Sequence, residues 1–205
     1  MDQLEEYTRK IMEIFMRYGI KSVTMDDISG ELGISKKTLY QFFSDKEDVV
    51  RKVVNQIIDG QKCGIDDMLS QPDMNAIDHL LNMTRFIADH LKTVSPSMTY
   101  DLKKHYPGVW QEMVEFKQEN IFRYIMDNIR LGIKEGLYLD DINYEIIARA
   151  YVSRLEMYSR GEMKDLEHFT FEEIFSTLFI YHVRGISNKA GLQYLNKLRI
   201  ASAGQ

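Results

Sequence analysis

Between Lys36 and Gln41 the chain offers two cations, a phenol and an amide, carried by Lys36, Lys37, Tyr40 and Gln41. At about 100° per residue these side chains spread over one side of a helix, while Leu39 and Phe43 point the other way. Cations, a phenol and an amide suit phosphate oxygens and base edges in a DNA major groove. The same composition also describes a solvated helix face, since Lys and Gln are ordinary surface residues. The neighbouring elements decide between the two.

The stretch Thr24 to Lys46, TMDDISGELGISKKTLYQFFSDK, reads as two short helices joined by a glycine turn. Met25, Ile28 and Leu32 fall at i, i+3 and i+7, one apolar helical face. Thr24 stands before them as an N-cap, with Asp27 three residues on. Gly33 can enter the left-handed region that ends a helix and turns the chain. Ser35 caps the second helix, whose apolar positions are Leu39, Phe42 and Phe43. About four residues between two short helices is helix-turn-helix spacing. Ser44-Asp45-Lys46-Glu47 then reads as a capping box, with Ser44 at the cap, Glu47 at N3 and Lys46 at N2. A cation there opposes the helix dipole. It is easier to understand if a phosphate sits at that helix start, the alternative being an exposed lysine with little electrostatic effect.

Tyr18-Gly19, Val23-Thr24-Met25, Ile28, Leu32-Gly33-Ile34-Ser35, Thr38-Leu39-Tyr40, Phe43 and Ser44-Asp45-Lys46-Glu47 lie at fixed spacing. Together they resemble the N-terminal domain of the tetracycline-repressor (TetR) family of bacterial regulators, from about Tyr7 to Val54. One departure is Gly30, where the family usually has an alanine-like residue. Glycine remains small enough for close helix packing, at a cost of about 1 kcal/mol of helix stability. The resemblance implies phosphate contacts from Thr24, Ser35, Tyr40 and Lys46 and base-edge contacts from Lys36, Lys37 and Gln41, with Thr38 serving either role. It also implies a homodimer through helices near 143–158 and 170–185, binding a double-stranded, palindromic DNA operator.

Charge qualifies that expectation. The net charge is −5, and residues 1–50 hold seven Lys and Arg against ten Asp and Glu, a balance of −3. A basic-domain test for nucleic-acid binding therefore fails in bulk. It passes locally, because Gly33 to Lys46 contains three Lys against Asp45 alone. Affinity resting on so few cations is expected to be modest and strongly salt-dependent.

Composition sets the frame. Apolar residues are 44% and charged residues 28% of 205, an ordinary globular balance. No apolar run approaches the roughly 20 residues that span a bilayer, so no membrane partner is expected. The polar, acidic start MDQLEEYTRK is unlike a secretory signal. Cys63 is the lone cysteine, which suits a reducing cytoplasm. Asn82-Met83-Thr84 matches a glycosylation pattern and, without a signal, reads as chance.

Hydrophobic periodicity predicts an all-α chain with a helix over 3–18, the paired short helices, and a largely apolar rod from Ser44 toward Met68. Further helices follow over 76 to about 95, up to Tyr106, from Pro107 to about Glu135, over 142–158, over 170–185 with Thr170 and Glu173 as a capping box, and beyond Asn188. The expected organisation is a three-helix helix-turn-helix DNA-binding domain at 1–50. A helical ligand-binding and dimerisation domain at 51–205 follows it.

Catalysis finds little to hold. There is no phosphate-binding glycine loop, no G-x-S-x-G elbow and no H-E-x-x-H. The five histidines (79, 90, 105, 168, 182) form no ligand pairs at i,i+3 or i,i+4. No enzyme, cofactor or metal site is expected. The 12 Met, 12 Tyr and 10 Phe suit either a well-filled core or a cavity for a small apolar or aromatic effector. If a cavity exists, Trp110, Met113, Phe122, Tyr151 and Tyr158 are the candidate lining residues, and the TetR resemblance implies a ligand there. The competing function is a helical small-molecule carrier whose N-terminal domain no longer binds DNA, which the acidic balance of residues 1–50 favours.

Overall fold

The computed structural model describes residues 2–69, 73–93, 95–159, 166 and 168–203. Its α-helices are α1 (Gln3–Tyr18), α2 (Met25–Leu32), α3 (Lys36–Phe42), α4 (Lys46–Leu69), α5 (Ala76–Thr93), α6 (Pro96–His105), α7 (Pro107–Lys134), α8 (Tyr144–Ser159), α9 (Phe171–Ile186) and α10 (Lys189–Ala203). Among the described residues no strand forms, and one isolated antiparallel bridge joins Tyr138 to Ser187. The all-α expectation holds. Most of the polar loop expected between Ser159 and His168 lies outside the described residues.

The chain folds as two compact units that do not follow chain order. Unit 1 is Met1–Gly64 with Thr93–Lys117, and unit 2 is Ile65–Lys92 with Gln118–Gln205. Unit 1 grows from the stripe Tyr7, Ile11 and Phe15 on α1, all buried. Ile28 of α2, Leu39 and Phe43 around α3, and Val49, Val50, Val53 and Val54 of α4 close on that stripe. Met98 and Leu102 of α6 and Val109 of α7 complete this core.

Unit 2 is built around Ile77, Leu80 and Met83 of α5, Ile125 and Ile129 of α7, Tyr151 of α8 and Phe179, Val183 and Ile186 of α9. Its capping matches the sequence where Thr170 and Glu173 form a reciprocal box at the start of α9. The exit from α7 requires Gly132, because a Cβ there would lie 2.1 Å from the Tyr138 ring. That ring is buried, and its hydroxyl lies 3.3 Å from Asn128 Oδ1.

Candidate nucleic-acid interface

The geometry of α3 is set before and behind it. The chain leaves α2 through Gly33, whose φ of 66° and ψ of 29° place it in the left-handed region. Gly33 N–H donates to Gly30 O at 3.1 Å and Ile34 N–H to Ser29 O at 3.0 Å. This pair of bonds satisfies helix-end carbonyls as a Schellman motif does. Ser35 then caps α3, its Oγ accepting from Thr38 N–H at 3.0 Å and lying 2.8 Å from Thr38 Oγ1.

Thr24 caps α2 reciprocally. Its Oγ1 accepts from Asp27 N–H at 3.2 Å, and Asp27 Oδ2 accepts from Thr24 N–H at 2.8 Å and from the Thr24 hydroxyl at 2.7 Å. The hydrogen bond from the Thr24 side chain, followed by that from its backbone, holds the Asp27 carboxyl below the usual carboxylate range. Behind α3, Leu39 and Phe43 are fully buried, and Phe42 meets Tyr7 edge-on at 5.2 Å.

What remains outside is the chemical face. Lys36, Lys37, Tyr40 and Gln41 are exposed, and Tyr40 keeps 52% of its surface in solvent. The four project from one rigid helix whose other side is locked in the core. Lys36 differs from the rest, because its Nζ sits 2.6 Å from the Asp26 carboxylate across the turn. Both groups are well exposed, and such a pair contributes about 0.2–1 kcal/mol, so a phosphate or base edge can displace it.

The start of α4 corrects the sequence reading by one residue. Asp45, not Ser44, is the cap: its Oδ1 accepts from Asp48 N–H at 2.8 Å, and its carbonyl accepts from Val49 N–H at 3.2 Å. Asp48, rather than Glu47, reaches back, accepting from Ser44 N–H at 2.9 Å. Ser44 and Asp45 are both good cap residues. The one followed by a carboxylate at N3 that also holds Lys52, at 2.8 Å, prevails. Lys46 therefore sits at N1.

Its side chain is half-buried and donates to Lys21 O at 3.2 Å. Burial lowers the Lys46 pKa, against which Asp101 and Asp27 act. Asp101, on α6, also accepts from Lys21 N–H at 2.8 Å. The Lys21 peptide is thus gripped from both ends, its N–H by Asp101 and its carbonyl by Lys46. Asp101 and Lys21 are positioning residues missed in the sequence. Eighty residues separate them, and no local pattern links them.

The candidate effector residues are divided. Trp110 and Met113 pack, partly buried, against the core of unit 1. Lys103 Nζ lies 4.8 Å from the centre of the Trp110 ring. Met113 also lines a cleft of about 320 Å³ with Asn55, Ile58, Asp59, Val109, Glu112 and Phe116. Phe122 and Tyr151 belong to unit 2, Phe122 partly buried beneath the Arg149 guanidinium at 4.9 Å and Tyr151 buried. Tyr158 lies in α8, and its side chain is outside the described residues.

A capped helix-turn-helix with a polar, outward recognition face on an all-α chain defines a DNA-binding transcriptional regulator. Residues 9–53 match the family described as bacterial regulatory proteins, tetR family, and the chain belongs to that family. It is 24% identical over 166 residues to the uncharacterized HTH-type transcriptional regulator YvaF of Bacillus subtilis, covering 81% of this chain and 86% of YvaF. It is 22% identical to the HTH-type transcriptional repressor KstR2 of Mycolicibacterium smegmatis, over 71% of this chain and 72% of that one. A transcriptional regulator from Cytophaga hutchinsonii shares the fold with a TM-score of 0.77, at 18% identity over 91% of this chain and 99% of its own.

Proposed function

We propose that the chain is a homodimeric, ligand-responsive repressor that binds a palindromic operator in the cytoplasm. Residues 1–50 act as the DNA-binding part and 51–205 as the part that binds effector and partner. The observation that carries this is the outward face of α3, fixed by Leu39 and Phe43. Lys36, Lys37 and Gln41 are assigned to base edges, where a bidentate pair is worth about 1–3 kcal/mol of discrimination. Thr24, Ser35, Tyr40 and Lys46 are assigned to phosphates, and Thr38 to either. Thr24 and Ser35 already spend their hydroxyls as caps, so they meet a phosphate from helix starts, where backbone N–H groups favour an anion.

The dimer is assigned to α8 and α9. Ile146, Met157 and Tyr181 on these helices are 63%, 44% and 71% exposed, apolar surface that a second copy would cover. A two-fold pair would set the recognition helices roughly 34–36 Å apart, one turn of DNA. A small apolar or aromatic effector bound in the second part would shift that spacing. The carrier alternative asks for a degraded reading head, whereas the caps, the turn and the outward side chains here are intact.

The test is a gel-shift titration against the DNA flanking the chain's own gene, with wild type and the Lys37→Ala, Tyr40→Ala double variant. Wild type is expected to shift a palindromic fragment, and the double variant to bind it about tenfold or more weakly. Unchanged affinity in the double variant would sink the assignment.

A further inference from the structure

The core of unit 2 contains polar groups that its packing does not satisfy. His182 of α9 is 6% exposed, and its Nε2 is buried with no hydrogen-bond partner. Its ring meets Tyr151 of α8 edge-on, with centroids 4.7 Å apart. The Tyr151 hydroxyl lies 3.4 Å from the hydroxyl of Thr84 on α5, and Thr84 already donates to Leu80 O at 2.8 Å. His79 of α5 has a second buried imidazole nitrogen, Nδ1, without a partner. Tyr124 of α7 is spent, its hydroxyl donating to His79 O at 2.8 Å.

Arg154 stands beside this group. Its guanidinium carbon lies 5.5 Å from the Tyr151 ring centre and 5.9 Å from that of Tyr181. Aromatic faces attract the cation but accept none of its five N–H groups in the plane of the fork. Among the described residues Arg154 enters no ion pair. Burial, and then the Arg154 charge, hold the His182 imidazole neutral, pushing its pKa down to about 4.

Buried polar atoms are nearly always hydrogen-bonded. An unpaired guanidinium next to an orphaned imidazole and a tyrosine hydroxyl is a constellation that lacks an acceptor. We propose that an effector carrying a carboxylate binds in unit 2, the carboxylate held by Arg154 with His182 and Tyr151 and the apolar body lying among the bundle's aromatics. The assignment rests on the effector reading above and changes its chemistry, from a purely apolar molecule to an amphipathic acid. Arg supplies the planar, two-pronged contact that a carboxylate fits. Neutral His182 adds a single N–H or lone pair without a second buried charge.

The probes are straight-chain carboxylates from butyrate to dodecanoate, with benzoate and naphthoate, each paired with the primary alcohol of the same skeleton. Binding to the full chain is followed by calorimetry, and release of operator DNA by fluorescence anisotropy. At least one carboxylate is expected to bind about tenfold or more tightly than its alcohol and to weaken operator binding. Arg154→Gln and His182→Leu should each erase that preference, and Arg154→Lys should restore part of it. All three should keep ligand-free operator binding, which shows that the fold survives. An alcohol binding as tightly as its acid, a preference that survives Arg154→Gln, or no carboxylate binding at all overturns the assignment. The effector reading itself falls separately, if no member of either series changes operator affinity.

Discussion

In unit 1 the buried polar side chains among the described residues are Thr8 and Ser29, and both spend their hydroxyls on backbone carbonyls, Leu4 O at 2.7 Å and Asp26 O at 2.9 Å. In unit 2 they are His79, Thr84, Asn128, His182 and Ser187, joined by the buried phenols of Tyr124, Tyr138 and Tyr151. Asn128 is well served, donating to Ala76 O at 2.7 Å. His79 Nδ1, His182 Nε2 and Ser187 Oγ are not. One unit is dry inside and displays its chemistry outside, as a reader of a long external polymer must. The other carries polar groups inward, a stability cost that an internal partner would offset.

The largest expected effect tests the dry side. Phe43 is fully buried behind α3 and packs in the core with Leu39 and the valines of α4. Phe43→Ala should destabilise the protein by about 3–5 kcal/mol, read by denaturant unfolding. A cost near that of an exposed site, below about 0.5 kcal/mol, would show that α3 is not fixed from behind and that its outward face is not rigid.

Next comes a pH experiment on the polar side. Desolvation, and then Arg154, depress the His182 pKa from an ordinary 6.5 to about 4. Between those values the unfolded chain binds a proton that the folded chain refuses, so stability falls as pH drops. The contribution is complete above about pH 6.5 and is lost progressively toward pH 4, a change on the order of 3 kcal/mol. His182→Leu should flatten the stability profile in that window while leaving it little changed at neutral pH. A wild-type profile already flat between pH 4 and 6.5 would mean that the imidazole is hydrated, and the contrast between the units would weaken.

Much of unit 1 was legible because its signals are local. The stripe Tyr7, Ile11, Phe15 marks α1 as Gln3–Tyr18, and Thr24, Gly33 and Ser35 mark the turn through side-chain and backbone rules that act within a few residues. The start of α4 failed by one residue because two cap residues stand side by side, and only the Asp48 hydrogen bonds choose between them. The Lys46 environment was illegible in principle. Asp101 comes from α6, and its grip on Lys21 is a tertiary accident of packing. The effector residues failed for a different reason. Large soft side chains announce burial but not which core they fill, so Trp110 and Met113 were grouped with Phe122 and Tyr151 although they pack in another unit. The His182 and Arg154 pairing has no sequence signature, since the two residues lie on different helices.

The smallest expected effect bears on charge. Residues 1–50 balance at −3, and Asp26 places one of those negative charges against Lys36. Asp26→Asn removes the competitor for Lys36 and one charge that repels phosphate. An exposed pair contributes at most about 1 kcal/mol, so operator affinity should rise by no more than about fivefold. Asp26 also lies in the first turn of α2, where a carboxylate favours the helix by about 0.3–1 kcal/mol, and the variant should be slightly less stable. Stronger binding from a less stable protein is a combination that general stabilisation cannot produce. Anisotropy titrations over a range of salt would read it, and Lys36→Ala should abolish the gain. If Asp26→Asn weakens binding instead, Asp26 aims Lys36 rather than restraining it, and the carboxylates around α3 would count as part of the reading head.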